Sequence, residues 1–326
     1  MSQPVYNRKD FVSDQEVKWC QGCGDFNVLK TMQSVLAKEG KPKHNTVFIS
    51  GIGCSSRFPY YMDTYGFHTI HGRAPTVATG VKAVNPELDV WVVTGDGDAL
   101  SIGGNHFIHA IRRNQDIKIL LFNNEIYGLT KGQYSPTSAQ GCVTKSTPTG
   151  SIDYPLRPLS IAAAANASFI ARTSDNDPKH MTKVFEAAAK HKGTAVIEIL
   201  QNCVIFNDKV HEPYNGPKQR KDNLLYLEHG EPMQFGKERA LKLAGLTPEL
   251  TDSSDDAVLV HNAETSNTSL AYMLAELSYP QYPVPVGVFH QSIRPCYHEL
   301  LQDGQSEEKA TKDDIVGLLN QESYVL

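Results

Sequence analysis

The sequence predicts an α/β fold, a mostly parallel sheet with helices on both faces, followed by a C-terminal extension. In the first two thirds of the 326 residues, short apolar runs alternate with segments of helical apolar spacing, which is the pattern of a parallel sheet. Beyond residue 207 the chain is more polar and contains prolines, with one predicted strand pair at 257–262 and 284–289. We therefore predict a site-bearing domain at 1–207 and an extension at 208–326 that packs on a partner subunit.

Each element of the first domain follows from its local pattern. A helix begins near residue 25 and stops at Gly40, and its apolar positions are Phe26, Leu29, Met32, Val35 and Leu36. Apolar runs predict strands at 46–50, 89–94, 117–122, 168–173 and 195–200. Helices are predicted at 75–84, 103–113, from 160 onward and at 178–192. The Gly-, Ser-, Thr- and Pro-rich segment 131–158 predicts a long loop, which more often forms a lid or a binding loop than a passive connection.

The composition excludes several classes of function. A net charge of -5 argues against nucleic-acid binding, which needs clustered basic residues. No apolar run is long enough to cross a bilayer, and the N-terminus has no apolar signal segment. We therefore expect a cytoplasmic protein that does not bind membranes. In that compartment, six cysteines point to metal binding or catalysis rather than to disulfides.

Polar residues follow directly after two neighbouring apolar runs. Gly-Asp-Gly-Asp at 95–98 follows the run 89–94, and Asn-Asn at 123–124 follows the next run. The carboxyl ends of parallel strands meet at one edge of a sheet, so Asp96 and Asn124 could hold one Mg²⁺ through oxygen atoms. Glycines beside Asp96 would let a diphosphate approach the backbone. A GDG followed by NN one helix and one strand later resembles the thiamin diphosphate signature, whereas a GDG alone is often only a turn.

Four cysteines are placed to meet at the same edge. Cys54 follows the strand at 46–50 and Cys203 follows the strand at 195–200, while Cys20 and Cys23 form a CxxC motif eased by glycines. A structural zinc site usually shows two such motifs, and only one is present. Chemically idle cysteines are a second interpretation. A 4Fe-4S cluster accepts dispersed thiolates and is the interpretation we favour.

Two further cysteines and one glycine-containing segment have other interpretations. Cys142 and Cys296 have no partner in this arrangement and are predicted to be ordinary cysteines. Gly51-Ile52-Gly53 imitates the start of a dinucleotide-binding motif, so a zinc-stabilised nucleotide-binding protein is an alternative. That match fails at the third glycine, where Ser56 stands.

Six motifs taken in order resemble one family. They are WCQGCGD, GIGCSSR, HGRAPTVATG, GDGDALSIGGNH, NNEIYGLTKGQ and QNCVIFN, and they span about residues 15–210. Together they resemble the β subunits of 2-oxoacid:ferredoxin oxidoreductases, most closely those that act on 2-oxoglutarate. The resemblance implies the thiamin diphosphate-binding fold.

The resemblance also implies a set of site residues. Iron would be held by Cys20, Cys23, Cys54 and Cys203, and Mg²⁺ by Asp96, Asn124 and the carbonyl of Ile126. The implied cofactor-binding residues are Asp25, Cys54, His71, Gly95, Asp96, Gly97, Asp98, Asn124, Ile126, Tyr127, Gly128 and Leu129. For Asp25 a helix cap is the alternative, and for His71 an ordinary surface histidine.

Substrate contacts are expected just after Asn123-Asn124, which follow the predicted strand at 117–122. Lys131 is hypothesised to pair with the distal carboxylate of 2-oxoglutarate, because a buried carboxylate needs a counter-charge. Thr130 and Arg73 are further candidates for substrate contact. Solvated side chains are the alternative for Lys131 and Arg73.

The implied reaction is oxidative decarboxylation of 2-oxoglutarate with coenzyme A, which yields succinyl-CoA and CO₂ and passes electrons through one 4Fe-4S cluster to ferredoxin. The reaction is potentially reversible. A β subunit that acts on pyruvate or on many 2-oxoacids is an alternative, and a non-redox thiamin enzyme is an alternative of another class.

The chain has room for only one thiamin-binding domain, so the carboxylate that activates the cofactor should come from an α subunit. We expect an αβ dimer of dimers. Six cysteines are too few for two ferredoxin-type clusters, each of which takes four thiolates, so the electron acceptor should be a separate ferredoxin.

Overall fold

The computed structural model describes residues 5–303 and 311–321. Its first two hundred residues show the predicted alternation of strands and helices. In chain order the elements are α1 (Asp25–Glu39), β1 (Thr46–Ser50), β2 (Tyr65–His68), α2 (Ala74–Val84), β3 (Asp89–Gly95), α3 (Asp96–Leu100), α4 (Gly104–Arg112), β4 (Ile117–Asn123), α5 (Pro158–Ala164), β5 (Phe169–Ser174), α6 (Pro178–Lys190) and β6 (Ala195–Leu200). Each predicted strand and helix of this region is confirmed. The short elements β2 and α3 were not predicted.

The C-terminal part of the chain is more structured than its composition suggests. Its elements are α7 (Glu212–Asn215), α8 (Arg220–Asn223), β7 (Leu224–Leu227), β8 (Gln234–Phe235), β9 (Arg239–Ala244), β10 (Thr247–Asp252), α9 (Ser269–Glu276), β11 (Val284–Gln291), α10 (Tyr297–Asp303) and α11 (Lys312–Asn320). Strands β8 to β10 form a separate antiparallel sheet. Residues 304–310 and 322–326 of the predicted extension lie outside the described residues.

The predicted strand at 257–262 is wrong. This segment makes only an isolated bridge, between Val260 and Pro232. Its expected partner, β11, is paired on one side with β5 and on the other with β7. Strands β5 and β7 take the two places beside β11 in the sheet, and the pair expected from the sequence does not form.

One eight-stranded sheet organises the molecule, in the order β2-β1-β3-β4-β6-β5-β11-β7. All neighbouring strands are parallel except β5 and β11. The extension is continuous with this sheet through β7 and β11. That it packs on a partner subunit stays a prediction.

Helices cover both faces of the sheet because successive strand residues point to opposite sides. In β1, Phe48 belongs to the core cluster that includes residues of α1 and α6, whereas Val47 and Ile49 belong to the cluster that includes residues of α2, α4, α5 and α9. The central strands are buried along almost their entire length. Continuous apolar runs such as 117–122 follow from this two-sided burial.

Candidate functional site

Four neighbouring strands end at the same edge of the sheet, and a predicted ligand follows each of them. The order β1-β3-β4-β6 places Cys54, Asp96, Asn124 and Cys203 after successive strands. Strand β6 lies between β4 and β5 although it follows β5 in the chain. This crossover brings Cys203 next to the strand that carries Asn124.

A cavity lies at the ends of β3 and β4, and we call it the GDG cavity. Its lining residues are Ile52, Gly53, Cys54, Ser55, His71, Gly95, Asp96, Gly97, Asp98, Phe122, Asn124, Ile126, Tyr127, Gly128, Leu129 and Thr130. Of the predicted cofactor-binding residues, only Asp25 is not among them.

Tyr127 forms one wall of the GDG cavity by packing on Gly97. The Tyr127 hydroxyl donates a hydrogen bond to the Gly97 carbonyl oxygen at 3.1 Å. A Cβ atom on Gly97 would stand 2.2 Å from the Tyr127 ring, which no real contact permits. By contrast, a Cβ on Gly95 would meet nothing closer than 3.9 Å, so the backbone there is open to a ligand.

Asp96 is a buried carboxylate held by the long loop. Its Oδ2 accepts hydrogen bonds from the hydroxyls of Ser135 and Thr137, both at 2.6 Å. Burial raises the pKa of Asp96 to about 6, although both hydroxyls act to lower it. No salt-bridge partner of Asp96 occurs among the described residues. A cation bound there would supply the missing positive charge.

Asn124 is oriented by two neighbours. Its Oδ1 accepts the Ile126 backbone N–H at 3.2 Å, and its Nδ2 donates to Gln201 Oε1 at 2.7 Å. Glu125 between them has a φ of 55°, so the chain turns sharply just after β4. Asn124, Ile126 and Asp96 thereby line the same cavity.

Asp98 ties two loops to the end of β3. Its Oδ1 accepts hydrogen bonds from Ile52 N, Gly72 N and His71 Nδ1, and its Oδ2 accepts one from the Thr94 hydroxyl. Both oxygens are therefore engaged within the chain. The structure gives Asp98 and His71 a role in shaping the rim of the GDG cavity.

A second cavity, of about 430 Å³, is lined by Cys20, Cys23, Cys54 and Cys203, and we call it the cysteine cavity. Its remaining lining residues are Lys18, Trp19, Arg57, Asn124, Gly128, Leu129, Lys131, Gln201, Val204, Ile205 and Phe206. The four cysteines predicted as ligands are thus brought together from three separate parts of the chain. Cys142 and Cys296 line neither this cavity nor the GDG cavity.

Cys23, Cys54 and Cys203 are partly buried, whereas Cys20 is exposed. Burial raises the pKa of Cys54 to about 11 and also raises the pKa of Cys23. Gln201 Nε2 lies 3.4 Å from Cys23 Sγ, and the Trp19 indole N–H donates to the Cys54 carbonyl. Within 5–303 and 311–321, no three His, Cys, Asp or Glu side chains converge closely enough to hold a single metal ion.

Asp25 is buried beside Cys23. The helix-cap alternative is wrong, because the cap of α1 is Gly24 and no side chain makes a capping hydrogen bond. Neither carboxylate oxygen of Asp25 has a hydrogen-bond partner within the described parts of the chain. Burial raises the pKa of Asp25 to about 7; the Cys23 thiol acts to lower it, and Asp175 adds to the rise.

The predicted substrate residues separate into two groups. Thr130 lines the GDG cavity and Lys131 lines the cysteine cavity, so their loop borders both. Lys131 has a φ of 78°. Arg73 lines neither cavity, and its guanidinium contacts His106.

Three residues of this region were not predicted from the sequence. Ser135 and Thr137 hold Asp96, and Gln201 contacts both Asn124 and Cys23. Ser135 and Thr137 belong to the long loop, whose composition indicates a binding loop but not which hydroxyl faces the site. Gln201 stands two positions before Cys203, at the end of β6, where a ligand-facing polar residue could have been suspected.

Known proteins resemble this chain in sequence and in structure. Residues 51–199 match the model for "Thiamine pyrophosphate enzyme, C-terminal TPP binding domain". The chain is 51% identical to 2-oxoglutarate oxidoreductase subunit KorB of Mycobacterium tuberculosis, over 89% of this chain and 79% of that protein. It is 46% identical to 2-oxoacid:ferredoxin oxidoreductase 1, subunit beta, of Aeropyrum pernix, over 87% and 80% of the two chains.

A solved structure of 2-oxoglutarate:ferredoxin oxidoreductase from Magnetococcus marinus, with 2-oxoglutarate, coenzyme A and succinyl-CoA bound, has a similar fold. The TM-score is 0.77 at 31% identity, over 96% of this chain and 95% of the other. Among the described residues, no helix combines the length and the apolar character that crossing a membrane requires.

Proposed function

This chain belongs to the β subunits of the 2-oxoacid:ferredoxin oxidoreductases, and from that membership we propose that its substrate is 2-oxoglutarate. With coenzyme A the products are succinyl-CoA and CO₂, and the electrons pass through one 4Fe-4S cluster to ferredoxin in a potentially reversible reaction. Support for this substrate comes from the relatives, since the Mycobacterium protein is named for 2-oxoglutarate and the Magnetococcus structure holds it.

The observation that carries the proposal is that the GDG cavity and the cysteine cavity share a wall. Cys54, Asn124, Gly128 and Leu129 line both. Thiamin diphosphate, when bound, supplies an electron sink for decarboxylation. A redox centre in the cysteine cavity would lie close to the GDG cavity, where decarboxylation would release the electrons. A non-redox thiamin enzyme would have no use for that second cavity.

The residues of the GDG cavity fit a magnesium-bound diphosphate. Asp96 offers a buried carboxylate that has no salt-bridge partner in the described parts of the chain, and Asn124 and the Ile126 carbonyl offer neutral oxygens, which are the ligand types that Mg²⁺ prefers. We propose that these three residues hold the ion. The open backbone at Gly95 leaves room for phosphate oxygens.

The residues of the cysteine cavity fit a 4Fe-4S cluster. Four thiols line it, together with the cations Lys18, Arg57 and Lys131. The carboxylate of Asp25 is buried beside Cys23 but does not line the cavity. A cluster held by four thiolates is an anion, so this charge balance suits it. We propose that the four cysteines ligate iron and lose their protons as they do so.

Lys131 is proposed to bind the distal carboxylate of 2-oxoglutarate. It lies next to Thr130, which lines the GDG cavity, so a substrate bound there would be within reach of its ammonium group. No salt bridge engages Lys131 among the described residues. Arg73, outside both cavities, is the weaker candidate.

A partner α subunit completes the site in this proposal. The GDG cavity encloses only about 50 Å³ within this chain, far below the roughly 300–1,000 Å³ of a complete small-molecule site. The α subunit would supply a second wall and the carboxylate that activates the cofactor, in an αβ dimer of dimers. A cytoplasmic location belongs to the same proposal, because reducing conditions keep cysteines available for iron.

The test is made on the complex with its α subunit, purified without oxygen. We expect four iron and four sulfide per β subunit, bound thiamin diphosphate and magnesium, and ferredoxin reduction that depends on 2-oxoglutarate and coenzyme A. Faster reduction with pyruvate would favour the pyruvate or broad-specificity alternative. Decarboxylation by an iron-free complex without an electron acceptor would favour a non-redox thiamin enzyme and contradict the proposal.

A further inference from the structure

Gln201 connects the two cavities. It stands at the end of β6 and is 1% exposed. Its Oε1 accepts a hydrogen bond from Asn124 Nδ2 at 2.7 Å, and its Nε2 lies 3.4 Å from Cys23 Sγ. One buried amide therefore touches a residue proposed to bind magnesium and a residue proposed to bind iron.

The orientation of both amides is determined by backbone groups. Gln201 Nε2 also lies 2.6 Å from the Asn202 carbonyl oxygen, which can only accept a hydrogen bond. The nitrogen must therefore be on that side, facing Cys23. Asn124 Oδ1 accepts the Ile126 N–H at 3.2 Å, which turns its own nitrogen toward Gln201 Oε1.

We propose that Gln201 is a positioning residue that couples thiamin diphosphate binding to the reduction potential of the cluster. This rests on the proposed function. A hydrogen bond donated to a cysteine sulfur stabilises the additional negative charge of the reduced cluster, and so raises its potential. The N–H of Gln201 is placed to donate such a bond to Cys23.

The coupling follows from the chain of donors. A magnesium ion on the Asn124 side-chain oxygen would polarise that amide and strengthen the N–H that it donates to Gln201. Gln201 would in turn become a stronger donor toward Cys23. Binding of thiamin diphosphate with magnesium should therefore raise the potential of the cluster, and by reciprocity reduction of the cluster should tighten cofactor binding.

The experiment measures the midpoint potential of the cluster by an electron paramagnetic resonance redox titration. It uses the complex with its α subunit, with and without thiamin diphosphate and magnesium. The unsubstituted complex should show a higher potential when the cofactor is bound. Equal potentials in the two states overturn the proposal without any substitution.

Gln201→Met keeps the length of the side chain and removes its three hydrogen bonds, with Asn124, with Cys23 and with the Asn202 carbonyl. We expect the equilibrium constant for reduction of the cluster to fall about tenfold, which lowers the midpoint potential by about 59 mV for a one-electron couple. The rise in potential on cofactor binding should disappear. Gln33→Met is the matched control, since Gln33 is also a buried amide but lines neither cavity. A potential in Gln201→Met equal to that of the control overturns the proposal.

The outcome also separates this inference from the proposed function. An unsubstituted complex without iron would contradict the proposed function itself, and the coupling with it. Suppose instead that the complex contains the cluster and reduces ferredoxin, but that the cluster potential changes neither in Gln201→Met nor on cofactor binding. That result would contradict only the coupling.

Discussion

Cys54 and Cys203, which follow different strands, both lie against Gly128. A Cβ atom on Gly128 would stand 3.6 Å from the sulfur of Cys54 and 3.5 Å from that of Cys203. Gly128 also lines both cavities, so the two sulfur atoms meet the shared wall at this residue. Both distances are ordinary van der Waals contacts, so the two sulfur atoms pack directly against the backbone of this residue.

Replacing Cys203 should remove the cluster. In Cys203→Ser we expect the iron content to fall to a small fraction of the original value, because an alcohol oxygen is a poor ligand for iron in a thiolate cluster. Thiamin diphosphate should still bind, since Cys203 does not line the GDG cavity. Iron analysis and the visible absorption band provide the measurement. The control is Cys142→Ser, outside both cavities, which should keep its iron. Equal iron in both variants would contradict the ligand assignment.

Gly97→Ala should damage the GDG cavity. The new methyl group would overlap the Tyr127 ring, which must then shift and change the shape of the cavity that it lines. We expect a loss of stability of about 1–3 kcal/mol, and a weakening of thiamin diphosphate binding of at least about tenfold, or 1.4 kcal/mol. Calorimetric titration and chemical denaturation would measure the two effects. Gly80→Ala, in α2 with open space around it, should be neutral or slightly stabilising. Similar behaviour of the two variants would contradict this description of the wall.

Asp25→Asn should stabilise the metal-free protein at high pH while impairing the enzyme. The folded pKa of Asp25, about 7, is above its ordinary value of 3.8 because of burial. This carboxyl group therefore leaves the free energy of unfolding at its full value below about pH 4. That free energy falls as the pH rises through 7, because the buried group must then carry a charge. Asparagine does not ionise, so the variant should gain up to about 4 kcal/mol at pH 8 and nothing below pH 4. The measurement is denaturation across this pH range.

The control for this prediction is Asp14→Asn, at an exposed carboxylate. It should show no comparable gain. A pH-independent difference between Asp25→Asn and the unsubstituted protein would mean that Asp25 is not a buried charge. Lower turnover alongside the gain in stability would indicate a group kept for function at the expense of stability.

Lys131→Ala should discriminate between substrates. Lys131 is exposed in this chain alone, and in the proposed complex the α subunit would bury its pair with the substrate. Loss of such a buried charge pair costs about 3 kcal/mol, so kcat/KM for 2-oxoglutarate should fall on the order of 100-fold. Pyruvate has no second carboxylate and should be affected much less. Lys209→Ala is a matched control, because Lys209 is also exposed, also has a positive φ, and lines neither cavity. Equal losses with both substrates would exclude the proposed pairing.

Local patterns in the sequence were sufficient to predict most of the elements of the first two hundred residues. Helical spacing before Gly40 and the apolar runs that became β1, β3, β4, β5 and β6 depend on short-range periodicity, which is visible in one chain. The pairs in the C-terminal part were harder to predict. The segment 257–262 has the composition of a strand, but in the sheet the neighbours of β11 are β5 and β7.

The motifs also predicted which residues would line the site, because polar residues that close parallel strands meet at one edge. Asp96, Asn124 and the four cysteines all line one or both cavities. Arg73 and Asp25 were chosen by their place in a motif, and they line neither.

Residue types and their order along the chain therefore specified the strands, the residues at their ends and the family. The tertiary structure decided which ends are neighbours, and with them the contacts of Gln201, Ser135 and Thr137. The physical reason is that propensity and periodicity act over a few residues, whereas strand order and side-chain direction depend on how distant segments pack against each other.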